Sequence, residues 1–192
     1  MRHVVFDTET NGLFDFRRPA EAPGQPRLAS AAFIFLTPTF EIEREHHVFI
    51  RPDGWTMTPG ASEKNGLTDE LLRSKGVSVR NVLDAWNMLL DQGVTFIAHN
   101  ASFDINVMKG ELLRAGLRDR TDETFWFCTM KASTPICRIP AKRGFKWPKL
   151  MEAYEYFFDE QFENAHEALA DARACAAVFK KLTELGVYQE AA

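Results

Sequence analysis

The sequence predicts an α/β fold built on a mixed five-stranded sheet, three antiparallel strands first and parallel strands later. Three observations carry this. Three short apolar or alternating runs arrive before any long helical pattern, at residues 3–7 (HVVFD), 27–37 (RLASAAFIFLT) and 42–51 (IEREHHVFIR). Two further strand-like runs, Val94 to Ala98 and Thr124 to Met130, alternate with segments of helical period. That alternation is the pattern of strand–helix–strand units, in which neighbouring strands run parallel.

In chain order, HVVFD is a buried strand with an acid at its carboxyl end. Residues 14–26 carry three prolines and a glycine and are a loop. The runs 27–37 and 42–51 complete an antiparallel meander with one face on a core. Pro52 to Gly60 is punctuated by Pro and Gly and reads as loop, and a short helix covers Thr68 to Ser74. Ser78 is an N-cap for a helix with Val82, Ala85, Trp86 and Leu89 at helical spacing, and Gly93 is its C-cap. After Val94 to Ala98, Ser102 caps a helix to about Ala115 with Ile105, Met108 and Leu112 on one stripe, and Gly116 ends it. Thr124 to Met130 follows as a strand. A short aromatic helix lies within residues 147–158. A long helix between His166 and Leu185 turns Leu169, Ala172, Ala176 and Phe179 inward.

Bulk properties narrow the functions. A chain of 192 residues is one domain's worth, expected to span residues 1–192 and to bury roughly 70% of its unfolded surface. No apolar stretch approaches the ~20 residues of a membrane helix, and acids inside the first ten residues exclude a secretory signal. A cytoplasmic protein is expected. Cys128, Cys137 and Cys175 are odd in number and form no CxxC pair, which argues for reduced thiols rather than disulfides or a zinc knuckle. The net charge of −4 does not suit a protein that coats long duplexes. It leaves room for one that processes nucleic-acid ends with bound cations.

The chemistry rests on carboxylates. Asp7 and Glu9 flank Thr8, so on a strand they project from one face. Two acids held together need a cation, and oxygen ligands without cysteine suit Mg²⁺ or Mn²⁺. Alone the triplet is weak; the apolar strand before it and the Asn11-Gly12 turn after it give it direction. Asp104 opens a helix just after a strand that ends in His99-Asn100. A helix-start acid is favourable there on its own account, but the carboxyl ends of strands are also where open sheets keep their sites. Asp171 sits in an Ala-rich helix, in its middle, where a bare carboxylate is costly without a cation. His166, five residues earlier, is either a surface histidine or a base able to accept a proton from water near neutral pH.

In order these give Asp-x-Glu, Asp, His-x₄-Asp. VVFDTETNGL, IAHNASFDINVMKGEL and AHEALADARACAAVF resemble the three motifs of the DEDDh (DnaQ-like) 3′→5′ exonuclease superfamily, which includes proofreading subunits of bacterial DNA polymerase III and ribonuclease T. The resemblance covers residues 3 to 184. It implies a ribonuclease H-like fold and two divalent cations, Mg²⁺ or Mn²⁺, held by Asp7, Glu9, Asp104 and Asp171, with Asp7 shared between them. It implies His166 as general base and nucleoside 5′-monophosphates as products. By the same resemblance Thr8, Thr10, Gly12 and Leu13 hold the terminal nucleotide, with Leu13 against its base, and His99, Asn100 and Phe103 line the strand path. Asn65-Gly66-Leu67 stands where many relatives have His-Gly-Ile; Asn65 keeps a hydrogen-bonding side chain there.

Two segments fall outside the motifs. The Pro-rich loop 14–26 is either a tolerated surface insertion or a rim that restricts access to the 3′ end. From Lys131 to Leu150 six basic residues (Lys131, Arg138, Lys142, Arg143, Lys146, Lys149) interleave with Phe145 and Trp147 and no acid intervenes. That composition suits either a single-stranded tail or a solvated loop with its aromatics tucked inward. Single-stranded DNA 3′ ends, in proofreading or repair, are the first substrate expected, with RNA or oligoribonucleotides the alternative and a non-catalytic nucleic-acid or polymerase-binding module a third reading. The chain runs six residues past Gly186, little room for a polymerase-docking tail, which favours a stand-alone or differently docked enzyme.

Overall fold

The computed structural model describes residues 2–189. Five strands form among them: β1 (His3–Thr10), β2 (Leu28–Leu36), β3 (Ile42–Phe49), β4 (Thr95–Ala98) and β5 (Trp126–Cys128). The helices are α1 (Pro59–Asn65), α2 (Asp69–Lys75), α3 (Val79–Asp91), α4 (Ala101–Arg114), α5 (Thr129–Cys137), α6 (Leu150–Phe158) and α7 (Ala168–Glu184). The strands lie in the order β3-β2-β1-β4-β5. The pairs β1–β2 and β2–β3 are antiparallel, while β1–β4 and β4–β5 are parallel. This is the mixed sheet the sequence predicts. Among the described residues no helix is long and apolar enough to cross a membrane.

The expected one-sided meander is corrected: β1 and β2 are buried on both faces. Successive residues of β1 point to opposite sides of the sheet. Val4 and Phe6 join a core with Trp86, Phe96 and Leu112, whereas Val5 joins another with Ala172, Cys175 and Phe179. Aromatic packing fixes the first layer, since the Trp86 ring stacks on Phe96 at 4.3 Å and Phe96 on Trp126 at 4.9 Å. The second layer depends on small side chains. Ala168, Ala172 and Ala176 are buried against Val5, Ile34 and Ile97, so α7 seats directly on the strands.

Local chemistry explains where elements depart from expectation. α1 lies partly in the segment read as loop. Thr58 caps it by accepting from Ala61 N–H at 3.3 Å, Pro59 occupies its first turn, and Gly66 ends it at φ 70, a sequence signature of helix ends. The strand read as Thr124 to Met130 keeps only three residues and passes straight into α5, which accommodates Pro135 within it. α4 starts at Ala101 rather than after a Ser102 cap: Asn100 takes the left-handed conformation at φ 69, and the Ser102 hydroxyl donates to Asn100 Oδ1 at 3.3 Å. Asp171 falls in the first turn of α7, not its middle. Cys128, Cys137 and Cys175 are free thiols, Cys175 buried and the other two half-buried.

The Pro-rich loop is tightly held. Gly110 of α4 faces it so closely that a Cβ there would lie 2.5 Å from the Ala20 carbonyl oxygen. Beneath the loop the buried Glu111 carboxylate accepts from Arg27 Nε (2.8 Å), Arg114 (3.1 Å) and the Leu28 N–H (3.0 Å). Burial pushes this carboxyl upward, but the two guanidiniums and the amide outweigh it and hold it below the usual range. Glu111 therefore joins α4 to the start of β2 as a charged knot, which loses most when one member is removed. Glu111→Ala is expected to destabilise the protein by about 3 kcal/mol, because two half-buried guanidiniums lose their counter-charge. Thermal denaturation should show Tm lower by roughly 6–12 °C; an unchanged Tm would make the knot dispensable.

Candidate active site

β1 is the central strand and β4 its parallel neighbour; β4 pairs only with His3 to Val5, so β1 carries Asp7 and Glu9 beyond the last β4 pair. Asp7 and Glu9 emerge from one face of β1. Asp171 arrives from the first turn of α7, carried in by the alanine face that packs on the sheet. One carboxylate oxygen from each of the three lies within 4.8 Å of the others. Asp104, in the first turn of α4 and 2% exposed, stands behind this group. Its Oδ1 accepts from both the Thr8 N–H (3.0 Å) and the Thr8 hydroxyl (2.7 Å), which pins α4 to β1.

These residues line a cleft of about 580 Å³. Of the positions selected from sequence, Asp7, Thr8, Glu9, Thr10, Gly12, Leu13, Asn65, His99, Phe103, Asp104, His166 and Asp171 line it, whereas Asn100 does not. An apolar groove of about 500 Å³ between β2, β3 and α3 contains no carboxylate and takes no part in the acidic site.

His166 sits one residue before the α7 cap at φ 74, and its N–H donates to both Asp171 oxygens at 3.3 Å, leaving its imidazole exposed at the cleft. The Thr10 hydroxyl donates to the Gly12 carbonyl at 2.7 Å and shapes the turn that presents Leu13, whose side chain is 89% exposed. Asn65 Nδ2 donates to the Thr10 carbonyl (3.2 Å) and toward Glu9 (3.4 Å), so its amide positions the acid. Phe103 is half-buried against the core at the cleft wall. His99 is a structural tie: Nε2 donates to the Pro148 carbonyl and Nδ1 meets the Thr129 hydroxyl, each at 3.0 Å.

Electrostatics sharpen the picture. Burial, then Asp104, Asp171 and Glu9, drive Asp7 well above the usual carboxylate range. Burial and Asp171 raise Glu9 to about 7, against the pull of Asn65 and Lys64. Burial raises Asp104 to about 7 despite the Thr8 bonds, and raises Asp171 to about 6 despite the His166 N–H and Lys64. Two ionised carboxylates ~5 Å apart repel by on the order of 3 kcal/mol at an effective dielectric of about 20. The set therefore favours either protons or a cation. Three carboxylate oxygens are the hard donors that Mg²⁺ and Mn²⁺ take, and the residues present fit such an ion. His166 moves the other way: burial, Lys64 and Lys149 lower it, so it is neutral at pH 7. Burial holds His99 neutral too, at about 4.

Lys64 is a cleft residue that none of the sequence motifs marks. With Thr58, Gly60 and Ala61 it lines the cleft from α1, and its charge acts on Asp7, Glu9, Asp171 and His166. The available signal was Thr58-Pro59, a helix start in a segment dominated by Pro and Gly.

A family model described as Exonuclease (RNase_T) matches residues 4–179. The chain belongs to the exonuclease family. Its motifs place it in the DnaQ-like DEDDh group. It is 31% identical over 187 residues to DNA polymerase III subunit epsilon of Salmonella typhimurium, covering 95% of this chain and 71% of that protein. The same subunit of Haemophilus influenzae is 27% identical over 184 residues, with 95% and 67% covered. Among solved structures, E. coli exonuclease I in complex with a dT13 oligonucleotide superposes with a TM-score of 0.74 at 20% identity. At that identity the likeness is one of ribonuclease H-like fold. The match covers 95% of this chain, which spans about two-fifths of exonuclease I (41%).

The raised carboxyl pKa values set a sign for cation binding. A group raised in the folded state stabilises while protonated and loses that contribution as pH rises through its folded value, here about 6 to 7 for Asp171, Glu9 and Asp104. A cation must displace those protons at pH 5 but meets free carboxylates at pH 8. Millimolar Mg²⁺ or Mn²⁺ should therefore raise Tm by about 3 °C or more at pH 8 and by much less at pH 5. Asp7→Ala should abolish the difference. Differential scanning fluorimetry reads this, and a cation effect independent of pH or of Asp7 would contradict it.

Proposed function

We propose that this protein is a divalent-metal-dependent 3′→5′ exonuclease that hydrolyses the last phosphodiester of single-stranded DNA and releases nucleoside 5′-monophosphates. The observation that carries the reading is the convergence of Asp7, Glu9 and Asp171 within 4.8 Å in a cleft that also presents His166. Asp7, Glu9 and Asp171 would hold one cation, and Asp7 with Asp104 a second. Bound there, divalent cations make water more acidic and offset charge on the attacking and leaving oxygens.

The chain's own groups supply the rest. The His166 imidazole is exposed and neutral at pH 7, so a ring nitrogen can take the proton of the attacking water. The His166 N–H bond to Asp171 fixes the base relative to the acid group. Asn65 steadies Glu9, and Thr8 steadies Asp104. Leu13 is exposed at the cleft and would pack on the terminal base, and Thr8, Thr10 and Gly12, which line the cleft, would lie beneath that nucleotide.

DNA is favoured because the relatives are named as DNA polymerase III subunits and a structural neighbour is titled as a complex with dT13. The same relatives make a DNA polymerase the partner to test. RNA remains the second reading, since a family model labelled RNase_T covers the chain. A non-catalytic module is disfavoured, because half-buried acids clustered over the buried Asp104 are costly to a protein that only binds.

Labelled single-stranded DNA, RNA and dinucleotides, each with Mg²⁺, provide the test. DNA is expected to shorten from its 3′ end with mononucleotide release. Asp7→Ala should abolish hydrolysis, and the same residual nuclease in wild type and mutant would sink the reading. His166→Ala should lower kcat by about 10²–10⁴-fold with little change in KM, the loss typical of a removed general base. Normal turnover in that variant would remove His166 from the role.

A further inference from the structure

Between α5 and α6 the chain forms a short basic arm, residues 138–149. The Ala141 N–H donates to the Gly144 carbonyl (3.2 Å), the Lys146 N–H donates to the Ile139 carbonyl (3.0 Å), and Pro140 bridges to Phe145. These bonds fold it into a hairpin. Every residue from Pro140 to Trp147 is exposed. Phe145 is 48% exposed and Trp147 63%, so the reading of aromatics tucked inward is overturned. Two large aromatics held in solvent on a charged hairpin are unusual for a structural loop, because rings of this size normally contribute to a core.

Part of the arm's charge is committed, since Arg138 lies over the Phe145 ring at 6.0 Å. Lys146 pairs with Glu152 at 2.5 Å, but among the described residues Lys142, Arg143 and Lys149 form no ion pair. In a chain of net charge −4 this is a local concentration of positive charge. The arm is rooted at the cleft. Pro148, buried at its base, accepts the Nε2 hydrogen bond of His99, and His99 lines the cleft wall. Lys149 lies close enough for its charge to act on His166. Trp147 is the residue before Pro148, and Phe145 is three residues away, at most about 10 Å along an extended chain.

We propose that this arm binds the single-stranded nucleic acid just upstream of the 3′ end, with Trp147 and Phe145 stacking on bases and Lys142, Arg143 and Lys149 facing phosphates. The inference rests on the exonuclease reading of the cleft and deepens it: the substrate is a strand of several nucleotides, not only a terminal dinucleotide. Bare basic patches also attract acidic proteins. Interleaved aromatics continuous with an end-trimming cleft are what a single strand uses, since every base offers a face for stacking.

The test uses the full chain, fluorescein-labelled dT16 for binding in EDTA, and two substrates for turnover: dT16 and the p-nitrophenyl ester of thymidine 5′-monophosphate, which fills only the cleft. Both variants alter exposed residues, and circular dichroism checks their folding. Phe145→Ala/Trp147→Ala is expected to weaken dT16 binding about tenfold or more. It should lower the ratio of kcat/KM on dT16 to that on the ester by a similar factor. Lys142→Ala/Arg143→Ala should reduce the slope of log Kd against log salt by about 1.4, two phosphates' worth for a single strand. Unchanged dT16 binding in both variants overturns the proposal, as does an equal loss on dT16 and the ester, which would mean that the arm merely shapes the cleft. Weakened binding with no hydrolysis of either substrate by wild type would remove the exonuclease reading while supporting the arm.

Discussion

Asp7, Glu9 and Asp171 bring three carboxylate oxygens within 4.8 Å of one another at the inner end of a cleft. Burial and mutual repulsion both raise the free energy of their ionised forms, and Asp104 behind them adds a fourth acid under the same constraint. Protons or a shared cation relieve that cost. Lys64 supplies part of that charge from the rim, but the acids stay well above their usual range in its presence. Protons or a further cation would meet the rest, and the oxygen-only donor set is one that a divalent ion can take.

Much of the fold can be understood as the means of holding this group. β1 is central: β2 pairs with it as far as Thr10, while β4 pairs only with His3 to Val5, so the end that carries Asp7 and Glu9 runs past β4 into the cleft. The alanine face of α7 brings Asp171 down onto the sheet, and the bonds from Thr8 to Asp104 lock α4 against β1. Farther out, Glu111 ties α4 to the start of β2 and, through Arg114, to the Pro-rich loop. That loop borders a second cavity of about 630 Å³ which shares Gly12, Leu13 and Thr58 with the cleft. The segment read from sequence as insertion or rim is thus a packed wall beside the cleft.

Much of this was legible in the sequence because the relevant signals are local. HVVFD announces a buried strand ending in an acid, the His-x₄-Asp spacing survives as a cap and first turn, and the order of apolar runs sets the sheet. What was not legible depended on competing local signals or on distant partners. Thr58-Pro59 signalled α1, but the surrounding prolines and glycines hid it, and Lys64 was hidden with it. The run Thr124–Met130 has β-forming side chains throughout, yet Thr129 is buried at the start of α5 beside His99. The two-sided burial of β1 and β2 depends on α7, more than 130 residues away in the chain, and no window around those strands contains that information. His99 lines the cleft, but its bonds to Thr129 and Pro148, which tie cleft to arm, join residues 30 and 49 positions away and are not visible in its local sequence.

In the proposed reaction, water deprotonated in this cleft attacks the 3′-terminal phosphodiester. Its most direct measurement is isotopic: digestion of single-stranded DNA with Mg²⁺ in ¹⁸O-labelled water, with mass spectrometry of the products. The account predicts nucleoside 5′-monophosphates released from the 3′ end, each carrying the label on its phosphate, and none from the Asp7→Ala variant. Products bearing 3′-phosphates, or labelled mononucleotides formed equally well without Asp7, would contradict it.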